Sequence, residues 1–293
     1  MSVILSGREV ASAVKRELSS RTEDFLKKYG RRPLLAVILA GNNPASLTYV
    51  SGKQKACDET GIDHRDFFFD ANVSKETLVK TIKELNEDKS VDGILVQLPL
   101  PNHEDEELII NTIAPEKDVD GFTPSNVGKL LLGQIGQEDL VACTPKGILR
   151  MLDYYKICTD SKNICILGRS NIVGKPMAAL LMQRDRNATV TVCHSLTDNI
   201  VPHVKIADIV ISAVGKPGIV TADMVKEGAV IIDVGMNRIP DSSKKSGYRL
   251  TGDVDYQACL EKASAITPVP GGVGPMTIAM LMENTVIAAF RNR

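Results

Sequence analysis

The sequence of 293 residues contains no tryptophan, and only 4% of its residues are aromatic. Surfaces that bind single-stranded nucleic acid stack bases on aromatic rings, so this scarcity weighs against such a surface. The formal net charge is -1 at pH 7, which gives no electrostatic case for nucleic acid or an anionic membrane. We therefore expect neither nucleic acid nor a membrane as a partner.

Long apolar runs and targeting signals are also missing. No stretch of about 18 apolar residues occurs, so we expect no membrane span. Residues 1–5 show no basic cluster ahead of a long apolar run, so no secretory signal is expected and the predicted location is cytoplasmic. Apolar residues still make up 43% of the chain, and the length allows one large domain or two ordinary ones.

Metal-binding patterns are absent from the sequence as well. The six cysteines form no C-x-x-C pair and do not combine by spacing with the four histidines. Cys165 and Cys193 fall in predicted buried strands. We expect reduced core cysteines of a cytosolic protein and no metal site.

The sequence does contain an apolar run, a glycine turn and a helical pattern in succession. Ile164 to Leu167 is the run, Gly168 breaks it, and a helix is predicted from about Val173 to Met182. A second strand, Ala188 to Cys193, completes a βαβ unit. Free N–H groups at the start of the helix suit a nucleotide phosphate.

The glycine spacing departs from the usual G-x-G-x-x-G fingerprint. Ser170 stands where the second glycine belongs, and Gly174 comes one place late. Proteins that prefer NAD usually end the second strand with an acid, but here His194 and Ser195 follow it. Arg169 lies in the turn, where a guanidinium can pair with a 2′-phosphate. We predict an NADP site with Arg169 and Ser195 at that phosphate; the alternative is a capped helix beside a surface arginine.

Two further predicted strands end in glycine turns. Ile209–Val214 leads into Gly215, and Ala229–Val234, which contains Ile232, leads into Gly235. A doubly wound sheet binds its ligand at this carboxyl edge, so the turns at Gly215 and Gly235 lie where a cofactor would bind.

The first 115 residues alternate strand and helix patterns, which is typical of a parallel α/β layer. The predicted strands are Leu34–Ala40, Asp66–Phe69 and Gly93–Leu98, and the predicted helices are about Ser46–Thr60, one capped by Ser74, and Glu104–Ile113. Later predictions are helices over about 125–132, from Thr144 and from Pro275, and an exposed hairpin or loop at 241–247.

Tyr49 and Lys53 are four residues apart on a predicted helix, so both project from one face. A single lysine is by default a solvated surface group. Beside an aromatic in a cleft it can instead transfer protons, if burial lowers its pKa. Ser46 lies one turn before Tyr49 and either faces the same way or caps the helix.

Two polar residues sit where chemistry is plausible. Gln97 falls in a strand that should be apolar on both faces, so its amide needs a partner, either a structural hydrogen bond or Lys53. Asp120 precedes a glycine, and an aspartate in that position most often stabilises a turn. Its carboxylate can also accept hydrogen bonds from two N–H groups of a heterocycle. A dense loop, Pro268–Thr277, combines rigid prolines with glycines that allow close backbone approach.

Five motifs occur in one order and at familiar separations. They are Tyr49-x-x-x-Lys53, Gly93-Ile-Leu-Val-Gln97-Leu-Pro-Leu, Pro115-Glu-Lys-Asp-Val-Asp120-Gly121, Gly168-Arg-Ser-x-x-Val-Gly174-x-Pro176 and Pro268-Val-Pro-Gly-Gly-Val-Gly-Pro-Met-Thr277. With these motifs the chain resembles the bifunctional methylenetetrahydrofolate dehydrogenase/methenyltetrahydrofolate cyclohydrolase family over essentially its whole length.

The resemblance implies an α/β fold of two domains with a cleft between them, and a homodimer. An N-terminal three-layer α/β substrate domain, residues 1–140 plus 270–293, would bind folate. A Rossmann-like domain, residues 141–269, would bind NADP.

The resemblance also implies oxidation of 5,10-methylenetetrahydrofolate with NADP and hydrolysis to 10-formyltetrahydrofolate, in one-carbon metabolism and purine biosynthesis. Lys53 would transfer protons, Gln97 would orient it, Tyr49 would stack on the folate and Asp120 would anchor the pterin. The remaining substrate site would be Ser46, Pro270, Gly271 and Gly272. The cofactor site would be Gly168, Arg169, Ser170, Gly174, His194, Ser195, Gly215, Ile232, Gly235 and Thr277.

Three alternatives remain at this point. A monofunctional dehydrogenase of the same fold is disfavoured by the set of Tyr49, Lys53 and Gln97. A shikimate-type dehydrogenase leaves the Pro268–Thr277 loop unexplained. A nucleotide-sensing module would bind NADP without turnover.

Overall fold

The computed structural model describes residues 2–101, 106–136, 138–244 and 247–293. In that part of the chain the helices are α1 (Gly7–Tyr29), α2 (Pro44–Thr60), α3 (Lys75–Glu87), α4 (Glu106–Thr112), α5 (Pro124–Leu131), α6 (Cys143–Tyr154), α7 (Gly174–Leu181), α8 (Val201–Lys205), α9 (Tyr256–Leu260) and α10 (Val273–Arg291). The strands are β1 (Val3–Ile4), β2 (Leu34–Ala40), β3 (Asp63–Phe69), β4 (Gly93–Val96), β5 (Asn163–Leu167), β6 (Thr189–Cys193), β7 (Ile209–Ser212), β8 (Val230–Asp233), β9 (Asn237–Pro240), β10 (Tyr248–Thr251) and β11 (Ala265–Ile266).

The chain divides into two compact units. Unit 1 comprises Met1–Ala11 and Thr144–Thr277, and unit 2 comprises Ser12–Cys143 and Ile278–Arg293. This differs from the predicted domains, because residues 1–11 and 270–277 join unit 1 and residues 141–143 join unit 2. The reason is long-range pairing: β1 forms a parallel ladder with β11, and the Arg8 N–H donates to the Gly271 carbonyl at 3.2 Å.

Unit 1 is built on a six-stranded parallel sheet in the order β1-β11-β8-β7-β5-β6. The central strands β7 and β8 are buried at every position, as expected where helices cover both faces. Ser212 and Asp233 are the polar residues in these two strands. A separate antiparallel hairpin of β9 and β10 brackets the predicted exposed loop, of which residues 245 and 246 lie outside the described ranges.

Unit 2 has three layers around a parallel sheet in the order β3-β2-β4. One face packs against α3 and α4, in a core that joins Ile38 to Ile82 and Ile109. Alternate residues of β2 point to the other face. There α1, α2 and α10 pack on one another: Phe25 and Phe290 stack edge to face with ring centres 5.1 Å apart, and Cys57 contacts Met282.

Most element boundaries follow local signals. Strand β2 has the predicted bounds, and the Ser74 hydroxyl caps α3 by accepting from the Thr77 N–H. Gly61 ends α2 with a φ of 70°, a left-handed conformation that glycine adopts without strain.

Strand β4 ends at Val96, so Gln97 follows the strand and does not lie inside it as predicted. The predicted helix from Glu104 begins at Glu106 in the described chain, and residues 102–105 lie outside the described ranges.

Helix α10 is, among the described residues, the helix that is long and apolar enough to cross a membrane. However, 67% of its most apolar window is buried inside the protein. Its fully buried Asn284 donates to the carbonyls of Val119 at 2.8 Å and Val141 at 2.9 Å. Such fixed polar contacts identify its C-terminal part as a core helix of unit 2.

Candidate active site

A hydrogen bond joins two of the predicted site residues in unit 2. Lys53, on α2, donates from Nζ to Oε1 of Gln97 at 2.8 Å. Gln97 is itself fixed, because its Nε2 donates to the Leu98 carbonyl and its backbone N–H donates to Ile38 of β2. The amide oxygen is therefore the atom presented to the lysine. The predicted contact of Gln97 with Lys53 is present.

Electrostatics single out the same lysine. Burial lowers the pKa of Lys53, and the negative charge of Asp120 acts in the opposite direction. Burial raises the pKa of the Asp120 carboxyl to about 6, against the effect of Lys53. Burial thus favours the neutral form of both groups, and a lowered lysine pKa makes the amine a better proton acceptor.

A second aspartate, which the sequence reasoning missed, holds the turn that carries Asp120. The buried Asp118 carboxylate accepts from the N–H groups of Gly121 at 3.0 Å and Thr123 at 2.8 Å, and from the Asn126 amide at 2.9 Å. The turn chemistry expected of Asp120 therefore belongs to Asp118. The D-x-D-G pattern was the available signal, since only one of its two aspartates is needed for the turn.

Tyr49 and Ser46 lie on the same helix as Lys53 but differ in exposure. The Tyr49 side chain is 41% exposed, as a ring that stacks on a ligand must be in the free protein. Ser46 is buried, with 4% exposure. Helix α2 already begins at Pro44, so Ser46 lies within its first turn and is not its cap.

In unit 1 the glycine turn after β5 is closely packed. Gly168 has a φ of 115°, and a β-carbon there would collide with the Ala213 carbonyl oxygen. A β-carbon on Gly174 would collide with the Gly168 carbonyl oxygen. The Ser170 hydroxyl accepts from the Val173 N–H at 3.1 Å and so holds the turn before α7. Close contact with backbone atoms therefore explains why both positions hold glycine, although their spacing departs from the G-x-G-x-x-G fingerprint.

This packing predicts that Gly174→Ala lowers the stability of unit 1 and its affinity for nucleotide. The new methyl would meet backbone atoms of the turn, and forced overpacking costs roughly 1–3 kcal/mol. Gly128→Ala is the control, because a β-carbon at Gly128 meets no atom within 4 Å. Thermal melting and NADP+ titration of both variants measure the effect. Equal melting temperatures and affinities for the two variants would contradict the prediction.

Arg169 and Ser195 follow paired strands. Leu167 of β5 lies in register with Cys193 of β6, and the Gly168 N–H donates to the Cys193 carbonyl at 2.8 Å. The residues directly after these strands therefore share one edge of the sheet. Arg169 and Ser195 are both exposed there.

The His194 segment is ordered by its own contacts. The His194 N–H donates to the Thr197 hydroxyl at 2.9 Å, and Nδ1 of its ring accepts from the Leu196 N–H at 3.2 Å. An Nδ1 that accepts carries no proton, so this contact requires the tautomer with its proton on Nε2. The ring position is thereby fixed beside Ser195.

Other predicted cofactor residues lie further along this edge. Strands β7 and β8 end at Ser212 and Asp233, two and one residues before the predicted ends. Gly215 and Gly235 follow them in turns, whereas the Ile232 side chain is fully buried and leaves only its backbone for a ligand. The Thr277 hydroxyl is hydrogen-bonded to that of Thr144 at 2.8 Å.

The proline- and glycine-rich loop is part of unit 1, whereas Tyr49, Lys53, Gln97 and Asp120 are part of unit 2. The Val269–Pro270 peptide bond is cis, Pro270 is exposed and Gly271 has a φ of 108°. A β-carbon on Gly272 would lie 2.8 Å from the Thr267 β-carbon. The predicted close backbone packing at these glycines is present.

All six cysteines are free, and five of them are buried. Within the described ranges, no three His, Cys, Asp or Glu side chains are arranged to hold a metal ion.

Comparison with known families shows that each half of the chain matches a domain of the same family. Residues 5–120 match the tetrahydrofolate dehydrogenase/cyclohydrolase catalytic domain, and residues 142–293 match the NAD(P)-binding domain of the same family. The chain belongs to the tetrahydrofolate dehydrogenase/cyclohydrolase family. The resemblance inferred from the five motifs and the predicted fold class are thereby confirmed.

Individual members of the tetrahydrofolate dehydrogenase/cyclohydrolase family are similar over their full length. Bifunctional protein FolD of Chloroherpeton thalassium is 52% identical over 286 residues, 97% of each chain. The crystal structure of the bifunctional FolD enzyme from Campylobacter jejuni has a TM-score of 0.93 at 46% identity and covers 100% of both chains. The FolD enzyme of Trypanosoma brucei, solved with NADP cofactor and an inhibitor, has a TM-score of 0.94 at 41% identity, covering 99% of this chain and 98% of that one.

Proposed function

We propose that this protein oxidises 5,10-methylenetetrahydrofolate with NADP+ and hydrolyses the 5,10-methenyl product to 10-formyltetrahydrofolate. The observation that carries the proposal is the Lys53–Gln97 hydrogen bond with Asp120 acting on the lysine, in a member of this family. A nucleotide-sensing module has no need for a partly buried lysine with a lowered pKa. The reactions place the protein in one-carbon metabolism, where 10-formyltetrahydrofolate supports purine biosynthesis.

For the first step the protein mainly has to position two rings. A ring nitrogen of the folate expels the hydride, and NADP+ supplies the acceptor. We assign the nucleotide to unit 1, at the turn of Gly168, Arg169, Ser170 and Gly174 and the segment of His194 and Ser195. The turns at Gly215 and Gly235, the Ile232 backbone and Thr277 complete the assignment. The steric need for Gly168 and Gly174 supports it.

For the second step we assign folate to unit 2. Water adds its oxygen to the methenyl carbon, and the Lys53 amine accepts one of its protons. The carbon–nitrogen bond of the ring then breaks while the new hydroxyl loses its proton to become the formyl oxygen, and the ring nitrogen takes up a proton. The proton that Lys53 accepted is released, so hydrolysis releases one proton overall. Gln97 orients the amine, Asp120 anchors the pterin, and Tyr49 and Ser46 complete the substrate site.

One spectrophotometric assay tests both reactions. The protein is mixed with 5,10-methylenetetrahydrofolate and either NADP+ or NAD+, and the reduced nicotinamide is read directly. Acid quenching then converts any 10-formyl product to the methenyl form, which is read separately. We expect turnover with NADP+ and an acid-dependent gain of methenyl product. No turnover with either nucleotide would contradict the proposal.

We also propose that the protein is a cytoplasmic homodimer. All six cysteines are free, which is typical of a protein in a reducing compartment. The homodimer is what the family resemblance implies. Light scattering on the protein as it elutes from a size-exclusion column should give twice the mass of the chain. The mass of a single chain would contradict the dimer.

The raised pKa of Asp120 predicts a pH-dependent stability. Between the usual aspartate pKa of 3.8 and the raised value of about 6, the folded protein holds a proton that the unfolded chain releases. This contribution is complete below the lower value and is lost as the pH rises through the upper one. When the pH is lowered from about 7 to about 4, wild type should therefore gain on the order of 1–3 kcal/mol of stability relative to Asp120→Asn. The gain is read as a rise in the melting temperature of wild type relative to that variant.

The control for this measurement is Asp58→Asn, which changes an exposed aspartate of the same unit. Its melting temperature should keep a constant difference from wild type over the same range. A constant difference for Asp120→Asn as well would show that this carboxyl is not held protonated by the fold.

A further inference from the structure

A fully buried aspartate lies beneath the carboxyl edge of the sheet in unit 1. Asp253 follows β10 and has 0% exposure. Its Oδ2 accepts from the Val214 N–H at 2.8 Å and the Gly215 N–H at 3.2 Å, and its Oδ1 accepts from the Lys216 N–H at 3.0 Å. Three successive backbone N–H groups of the turn after β7 therefore converge on one carboxylate.

Two side chains complete the set of donors. The Ser212 hydroxyl, at the end of β7, donates to Oδ2 at 3.2 Å, and the Asn237 amide, at the start of β9, donates to Oδ1 at 3.0 Å. A carboxylate with five donors has all its lone pairs engaged, and hydrogen bonds to a charged acceptor are the strong ones. These hydrogen bonds to Asp253 hold the backbone of the 214–216 turn in one conformation.

The aspartate is itself held in place by a second one. The Asp233 carboxylate, at the end of β8, accepts from the backbone N–H groups of Gly235, Asp253 and Val254, each at 2.9 Å. A β-carbon on Gly235 or Gly252 would collide with one of the two carboxyl groups. The ends of β7, β8 and β10 are therefore connected through two interlocked carboxylates, with glycines where the space is taken.

The direction of these hydrogen bonds determines which backbone groups of the turn remain available to a ligand. Consecutive N–H groups in a turn often form a cradle for an anion such as a phosphate. Here the cradle of residues 214–216 is already filled from inside by Asp253. In a trans peptide the carbonyl points opposite to the N–H, so the carbonyls of residues 213–215 point away from Asp253. The Ala213 carbonyl accordingly approaches Gly168.

We propose that Asp253 is a positioning residue for the nucleotide, which sets the 214–216 turn so that carbonyl groups, and not N–H groups, face the cofactor edge. This rests on the proposed function, because it concerns the same NADP site. The turn would accept hydrogen bonds from donors on the cofactor and would repel its phosphates, which directs the phosphates to the Gly168–Gly174 turn.

Asp253→Asn tests the proposal in the full-length protein. The amide is isosteric, but one of its two polar atoms becomes a donor and faces the donors of the turn. We expect the Kd for NADP+ to rise about tenfold, as for the loss of one charge-assisted hydrogen bond. The KM for NADP+ should rise by a similar factor. Hydrolysis of 5,10-methenyltetrahydrofolate, which uses no nucleotide, should stay within about twofold of wild type.

Two further variants separate positioning from folding. Asp223→Asn makes the same chemical change at an exposed aspartate of unit 1 and should leave both activities unchanged. Ser212→Ala keeps the carboxylate and removes one of its five donors. We expect a two- to fourfold rise in the KM for NADP+, which is about the effect of losing one weak hydrogen bond. This milder change decides the question if Asp253→Asn does not fold.

The outcomes distinguish this inference from the proposed function. If wild type neither binds nor reduces NADP+, the proposed function fails. If wild type turns over and folded Asp253→Asn has a wild-type Kd and KM for NADP+, the positioning role is refuted. An equal loss of oxidation and hydrolysis in Asp253→Asn, with no change of KM in Ser212→Ala, would also overturn it, because the aspartate would then be purely structural.

Discussion

Replacing Lys53 by methionine is expected to abolish hydrolysis of 5,10-methenyltetrahydrofolate while part of the NADP+-dependent oxidation remains. Methionine keeps much of the length and apolar stem of lysine but cannot accept a proton. Proton transfer by a positioned side chain contributes roughly 100- to 10,000-fold to a rate, so hydrolysis should fall at least about 100-fold. Oxidation needs ring positioning more than proton transfer and should survive in part.

Lys55→Met is the matched control for this prediction. Lys55 lies two residues further along α2, its side chain is 79% exposed, and its ion pair with Glu59 is long at 3.9 Å. This variant should retain both activities. Direct decay of methenyl absorbance measures hydrolysis, and NADPH formation measures oxidation. Full retention of both activities in Lys53→Met would remove Lys53 from its proposed role.

Arg169→Ala is expected to raise the KM for NADP+ by roughly ten- to a hundredfold and to change the KM for NAD+ little. The guanidinium would pair with the 2′-phosphate, which only NADP+ carries, and charge-assisted bonds of this kind are worth about 1.5–3 kcal/mol. The position of Arg169 after β5, beside the strand that precedes Ser195, supports this assignment.

The ratio of the two KM values is the useful measurement, since general damage to the site would raise both. Arg184→Ala, an exposed arginine after α7, is the control and should leave the ratio unchanged. The same ratio in wild type and Arg169→Ala would show that the preference for NADP+ rests on another residue.

Local patterns predicted the parts of the structure that local interactions build. Strand β2 is a continuous apolar run because both its faces are buried, and its bounds could be read directly. The Lys53–Gln97 contact was also within reach, because a lone amide at the end of an apolar strand needs a partner. The first signal lies inside the strand that it predicts, whereas the second concerns two residues 44 positions apart that both lie near carboxyl ends of strands.

Features built by distant segments escaped the same reasoning. Strand β1 is two residues long and pairs with Ala265 and Ile266, more than 250 positions away in the chain. Asp253 has an ordinary glycine–aspartate turn sequence, but its donors lie 16 to 41 residues earlier. Asp118 was overlooked because Asp120 offered the simpler account of the turn. Nothing in the sequence near Asp253 distinguishes it from an exposed aspartate.

The interleaved order of the two units has a consequence for synthesis on the ribosome. Domains usually fold in the order in which they are made. Unit 2 contains most of the first half of the chain, yet it also needs residues 278–293, including Asn284, which holds the carbonyls of Val119 and Val141. Unit 1 is complete once residue 277 has emerged. Although most of unit 2 is synthesised before unit 1, unit 2 is therefore completed after it, and its Asn284 contacts form only after residue 284 has been made.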